Sequence, residues 1–402
     1  MKKTFLLLIG LLTLLSCSQE EPKAIESVIS PSGDNSSLPR LVTSTSGDVY
    51  LSWVEKGSNK SSELLYARLT NDNWSAPKSV AKGNNWFVNW ADFPSLMVNN
   101  EQMAAHWLQK SDQGTYDYDV RVSFSNNSGE TWNESIVPHK DGIPAEHGFV
   151  SMLPMEDGKT FITWLDGRNT KGGGHDEGGH SGSGAMTLRA GIFDRDGSTI
   201  NEWELDDRIC DCCQTGAAMT DQGPVVVYRD RSESEIRDMS IVRLVGDSWT
   251  EPMPLAIELW EMPGCPVNGP AIAARGNNVA SAWFTAKGGF AQVKIAFSTD
   301  AGASFGSASV VSEGITNGRV GITYLGNGTV AVSWMDSKDD LALVMVANYD
   351  EQGTLLKKMQ VAQTSASRAS GFPVITSRGN EVFMAWTETA EITKVKTAKI
   401  NL

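Results

Sequence analysis

Beyond Leu15 the sequence has no apolar run long enough to cross a bilayer as a helix, for which about 20 residues are needed. Positive charge is also short: 34 Lys and Arg stand against 48 Asp and Glu, a formal net charge of −14. Bulk charge of that sign argues against nucleic acid and anionic membrane surfaces as partners. Histidine and cysteine are scarce, with five of each, so the position of every one carries information. What is present is glycine, 38 residues, and tryptophan, 13 residues, in a chain that is 40% hydrophobic. That is enough apolar material for a packed core, and Gly-punctuated aromatic sequence favours an all-β fold. The one apolar run, Phe5 to Leu15 behind Lys2 and Lys3, is too short to span and has the layout of a secretory signal.

A short pattern recurs along almost the whole chain: an alternating β-like run that ends in an aromatic residue. It occurs seven times, ending at Trp53, Trp107, Trp164, Tyr228, Trp283, Trp334 and Trp386, at intervals of 54, 57, 64, 55, 51 and 52 residues. Each unit reads as four short strands separated by turn residues. A second aromatic, Trp74, Trp132, Trp203, Trp249 or Phe305, opens the fourth strand of most units. Four strands per repeat of this length predict β-propeller blades, seven of them, or six if one unit is degenerate. The repeated aromatics are then core residues. The seventh unit stops after three strands, and the segment Ile25 to Ser30 supplies the missing one. Strands from both termini would thus close the ring and remove an open sheet edge.

Leu14-Leu15-Ser16-Cys17 resembles the bacterial lipoprotein box. The resemblance implies a signal peptide over residues 1–16, acylation of Cys17, a tether over 17–23 and a single propeller domain over 24–402. Ser18 is similar to an outer-membrane sorting signal, which places the chain in the cell envelope, periplasmic or surface-exposed. The lipid would be its only membrane contact. Two hairpins carry a further mark. Ser125, Asn127, Gly129 and Trp132 in one, and Ser298, Asp300, Gly302 and Phe305 in the other, resemble the Asp box of sialidases and related propellers. An Asp or Asn side chain caps the turn, Gly takes positive φ and the aromatic locks the hairpin into its blade. The sialidase resemblance implies three arginines holding a substrate carboxylate, a Tyr–Glu nucleophile pair and an Asp acid/base. The family's arginine-bearing R-I-P motif has its nearest match in Leu38-Pro39-Arg40, with the order changed.

In a propeller the loops after second strands and those between blades share one face. Most of the unusual residues map there: Trp86, Trp90, His139, His147, Arg319 and the cysteines 210, 212, 213 and 265. Asp166, Arg168, Tyr228, Arg229, Asp230, Arg231 and Arg368 form a candidate catalytic set, with Glu146 nearby. In it the arginines would hold a carboxylate or sulfate, the acids serve acid–base chemistry and Tyr228 act as a phenolic nucleophile. Local Arg–Asp pairing, and burial of Tyr228 at a core-aromatic position, fit the same residues.

Cys210, Cys212, Cys213 and Cys265 suit two disulfides in an oxidising compartment, one joining the cluster to Cys265 and one across Cys210 and Cys213. The same thiols with His147, His175 and His180 suit copper or zinc. Three functions follow as expectations. The first is a sialidase-like glycoside hydrolase acting on acidic glycans. The second is a non-catalytic module binding a glycan or protein on the loop face. The third is a metal-handling protein.

Overall fold

The computed structural model describes residues 24–170 and 184–402, and they form seven antiparallel sheets arranged as the blades of a propeller. The recurring aromatic run is the second strand of every blade: Val49–Lys56, Gln102–Lys110, Thr160–Asp166, Gly223–Arg229, Asn278–Thr285, Val330–Lys338 and Glu381–Thr389. Strands buried on both faces read as near-continuous apolar runs. Trp53, Trp164, Trp283 and Trp334 are fully buried. In three blades the indole N–H is donated to an acid two residues on, Glu55, Asp166 or Asp336, at 2.8 to 2.9 Å. Residues i and i+2 of a strand share a face, so a W-x-D/E pattern satisfies a buried donor locally.

Not every blade has four strands. Blades 1 and 4 carry five, with short ladders at Asn73–Trp74 and Ser248–Trp249. Blade 2 has three, because its outer segment keeps only an isolated bridge between Val122 and Ile136. Further along that segment Arg121 donates to the Ser135 side chain and carbonyl. The second aromatics are half-buried, as expected for residues that pack one blade against the next. The ring closes with Ile25–Val28 paired antiparallel to Thr393–Ile400, Ile25 opposite Ile400. No helix among the described residues is long and apolar enough to cross a membrane.

The two S-x-D/N-x-G hairpins share one geometry. Ser125 and Ser298 each accept the N–H of the glycine four residues on at 2.9 Å. Asn127 and Asp300 accept the N–H of Thr131 and Ser304, and Gly129 and Gly302 have φ of 76° and 78°. The first follows the third strand of blade 2 and the second joins the third and fourth strands of blade 5, so both lie at the end of the propeller opposite the loops that follow second strands.

The innermost strands surround a central channel. Three of them, in blades 1, 3 and 6, are interrupted near the loop face by a bulge holding one non-Gly residue at positive φ: Leu38, Phe149 or Arg319. Bulges re-aim neighbouring side chains.

Candidate functional site

The channel encloses about 240 Å³ and is lined by all seven first strands and the loops that lead into them. Arg40, Asp92, Phe93, Phe149, Gln214 and Phe372 are among its lining residues.

One side of the mouth is an arginine–aromatic cluster. Arg40 lies 4.5 Å over the Phe93 ring, which meets Phe372 edge-on at 5.6 Å. Phe372 stacks on Trp90 at 6.0 Å. Trp90 carries Arg319 at 4.9 Å and Arg368 at 5.8 Å. Arg319 donates to Ser370 Oγ and the Gly371 carbonyl at 2.9 and 2.8 Å. Among the described residues, none of these three guanidinium groups is paired with a carboxylate. Burial lowers Arg40 to about 10; burial and then the proximity of Arg368 lower Arg319 to about 10. Among the described residues each is a cation without a counterion, which is the preparation an anionic ligand requires.

The same loop, two residues past Trp90, supplies Asp92. The buried Tyr118 hydroxyl lies 2.9 Å from Asp92 Oδ2 and 2.9 Å from Glu146 Oε1. Asp92 Oδ1 accepts the Phe149 N–H at 2.8 Å. Gly148 makes room for this carboxylate, since a Cβ there would sit 1.9 Å from Oδ2. A phenol has one proton to donate. Both contacts are therefore satisfied only if one of the two carboxyls donates to the phenol oxygen. Burial agrees: it raises Asp92 to about 7 and Glu146 to about 8, and it pushes Tyr118 well above the ordinary phenol value. The triad thus holds a proton on a carboxyl near neutral pH, which is what a general acid needs.

The other residues singled out in the sequence fall into separate clusters. Arg168 grips Asp166 through two bonds of 2.7 Å, and Asp166 also accepts from Trp164. His147 opens the first strand of blade 3, 3.5 Å from Asp166, where a loop position was expected. Tyr228 is buried and donates to Asp206 at 2.5 Å. Arg229 is 2% exposed and donates to the carbonyls of Asn268, Arg237 and Phe284. Asp230 accepts from the Arg231 N–H and Ser240 Oγ. Arg231 bonds Asp211 and Glu235. The structure does not bring Arg168, Arg229, Arg231 and Arg368 to one point; of that set only Arg368 belongs to the channel mouth.

Cys212 and Cys265 form a disulfide with Cα atoms 6.0 Å apart. The expected second bridge is not formed: Cys210 and Cys213 are buried thiols with sulfurs 3.3 Å apart. The neighbouring loop reaches only the middle cysteine, which leaves this pair to each other in the interior. Thiol titration of the folded propeller is expected to find Cys210 and Cys213 unreactive, with two equivalents appearing on unfolding without reductant. Cys17, His175 and His180 lie outside the described residues.

Asp92 and Tyr118 were not legible as site residues. Tyr118 reads as one more apolar strand position, and Asp92 is one acid among many. The pair Trp86 and Trp90 marked their loop, and the Pro39-Arg40 match marked the first arginine.

No protein-family model matches the chain, and no curated protein matches it. Solved structures do. An ulvan lyase of polysaccharide lyase family PL25, bound to a GlcA(1-4)Rha3S unit, matches with TM-score 0.54 and 11% identity over 94% of this chain and 94% of its own. The phage phi92 endosialidase matches with TM-score 0.51 and 9% identity over 94% of this chain and 69% of its own. A Hadza microbial sialidase matches with TM-score 0.43 and 15% identity; this chain spans 63% of its length, and 75% of this chain is covered. At these identities the likeness is one of fold. The chain is a seven-bladed β-propeller, of the fold also found in propeller endosialidases and polysaccharide lyases.

Proposed function

We propose that this propeller is an enzyme acting on acidic glycans at its channel mouth. The observation that carries the reading is the meeting of two features there. Arg40, Arg319 and Arg368 share a run of aromatic rings and have no carboxylate partner among the described residues. Asp92, Tyr118 and Glu146 share protons beside them. The arginines would hold a uronate, sialate or sulfate group, and the aromatic faces of Trp90 and Phe372 would support a sugar ring. The protonated carboxyl would donate to the leaving glycosidic oxygen as water attacks the reacting carbon, and the Tyr118–Glu146 pair hydrogen-bonded to it would return the proton that the water releases. The resemblance to sialidases supports arginines that hold an acidic group and an Asp as the acid, and the acidic glycan unit on the ulvan lyase supports the choice of substrate class. Export as a lipoprotein through Cys17 would place the channel mouth where extracellular glycan is met.

The test is turnover of a panel of sialosides, uronate-containing glycans, sulfated glycans and uncharged analogues. Acidic members are expected to react and uncharged ones not to. Arg319→Leu should raise KM for them by about 10–100-fold, the worth of a charge-assisted hydrogen bond at 1.5–3 kcal/mol. Equal handling of charged and uncharged glycans, or no turnover of any, would defeat the proposal.

A further inference from the structure

The Cys212–Cys265 disulfide stands at the head of two short chains of hydrogen bonds, and both end at the channel mouth. Residues 210–215 lead from blade 3 into blade 4, and residues 257–270 lead from blade 4 into blade 5; neither segment contains a strand. With no strand ladder to fix them, they depend on cross-links, and the disulfide joins them across 53 residues of chain.

The first chain starts at Cys265. The carbonyl of the next residue, Pro266, accepts the Asn268 amide N–H at 3.2 Å. That bond turns Asn268 Oδ1 toward blade 6, where it accepts the Arg319 N–H at 2.7 Å. Gly318 leaves it room, since a Cβ there would sit 2.4 Å from Oδ1. Arg319 is the positive-φ residue of the blade 6 bulge, and its guanidinium lies over Trp90. The second chain starts at Cys212. Two residues on, the Gln214 side chain donates to the Ala91 carbonyl at 2.6 Å and accepts the Gly269 N–H at 3.0 Å. Ala91 lies between Trp90 and Asp92. Packing here is close: a Cβ on Gly269 would sit 2.0 Å from the Gln214 carbonyl oxygen. The two chains thus hold Arg319 and the Trp90–Asp92 segment, which touch at the mouth, and the disulfide joins their other ends.

Val267, inside the first chain, has a φ of 51°. A β-branched residue occupies that region only where its surroundings impose it. Arg229 holds the Asn268 carbonyl, but the direction of the Asn268 side chain depends on Pro266 and so on its neighbour Cys265. Opening the disulfide frees that end of the turn. Val267 can then return to an ordinary conformation, and the Asn268 amide loses its direction.

We propose that Gln214 and Asn268 are positioning residues for the channel mouth, and that the Cys212–Cys265 disulfide is the redox-sensitive brace that keeps them in place. Reduction would weaken the hold on an acidic ligand. Cys265 is exposed, so a dithiol can reach the bond. Its thiolate attacks the Cys265 sulfur, and Cys212 leaves as a thiolate and takes up a proton. The second thiol of the reductant then displaces Cys265. The protein gains two electrons and two protons, and the dithiol becomes a disulfide. The effect on ligand rests on the glycan reading above; the effect on the loops does not.

The test compares three forms of the whole protein: with the disulfide formed, after treatment with a dithiol, and as Cys212→Ser/Cys265→Ser. Hydrogen exchange read by mass spectrometry follows the loops without any ligand. Peptides over 86–93, 262–269 and 316–320 should exchange about 10-fold faster in the second and third forms, while the second strands of the blades stay protected. KM for an acidic glycan should rise by about 10-fold on reduction, with kcat changed less, and should return on reoxidation. A Cys210→Ala/Cys213→Ala background limits reoxidation to one pairing. Gln214→Glu keeps the acceptor for Gly269 and loses the donor to Ala91, so it should loosen 86–93 and leave 316–320 protected. Circular dichroism shows whether each form is folded. Unchanged exchange over 316–320 after complete reduction, loss of protection spread equally over every blade, or a KM indifferent to reduction would each overturn the proposal. Absence of turnover in all forms would defeat the glycan reading alone, and the exchange data would still decide the brace.

Discussion

Asp92→Asn is expected to reduce turnover of an acidic glycan by about 10²–10⁴-fold, the usual worth of a positioned proton donor, while the protein remains folded. The substitution is isosteric. The asparagine oxygen can still accept the Phe149 N–H, and its amide can donate to Tyr118, so both native contacts of Asp92 keep a partner. What disappears is the shared proton. A pH profile separates this from simple damage. The wild-type rate should fall as pH rises through about 7, where burial places Asp92, and the residual rate of the variant should lack that limb.

Stability has a defined sign as well. The Asp92 pKa is raised on folding from 3.8 to about 7. Its contribution is therefore fully present below the unfolded value and lost as pH rises through about 7. The melting temperature of the variant should gain on that of the wild type as pH rises from about 4 to about 7, and the difference should level off above that. A variant with the wild-type rate and profile would mean that Asp92 only packs.

Arg229→Leu is expected to destabilise the propeller by about 3–5 kcal/mol, the range for breaking a buried charged network. Its guanidinium makes four bonds of 2.6 to 3.1 Å to carbonyls from three separate segments and lies 4.9 Å over Trp260. Removing it strands three buried carbonyls. Arg229→Lys should recover little, because an ammonium cannot reproduce a planar fork aimed at three acceptors. Denaturant midpoints check both variants. The KM of whatever remains folded should be unchanged, in contrast to Arg319→Leu. A stability loss under 1 kcal/mol would contradict the interlocking role assigned here.

That contrast shows what the sequence could and could not reveal. The seven blades were legible because each second strand repeats the same local solution, an apolar run ending in a buried aromatic. The closing strand was legible because the last unit is one strand short. The bridge from the cysteine cluster to Cys265 followed from adjacent loops. The arginines could not be sorted in the same way. Arg229 and Arg319 look alike in sequence, and both lie at the loop face. What separates them is the set of carbonyls and rings brought by other blades, and no local pattern encodes it. The Asp92–Tyr118–Glu146 triad was hidden for the same reason: its members come from two inter-blade loops and one strand, and none sits in a motif. Asp166 illustrates the converse. Its neighbour Arg168 marks it as a candidate site residue, and the W-x-D pattern also gives it a bond inside its own blade.

The pairing of Ile25–Val28 with Thr393–Ile400 also has a consequence in time. Asn401 and Glu26 touch across 375 residues of chain. At 5–20 residues per second, synthesis would take roughly 20 to 75 s to produce the second partner after the first. Until then the seventh blade does not exist and neither end of the ring has a neighbour. Early blades can form before the ring is complete, but closure waits for both partner strands. Contacts of such long range slow folding and lengthen the exposure of unpaired edges. A chain released prematurely by even its last ten residues would lack the partner strand of Ile25–Val28. It would meet quality control as an open arc, whatever the intrinsic stability of its first six blades.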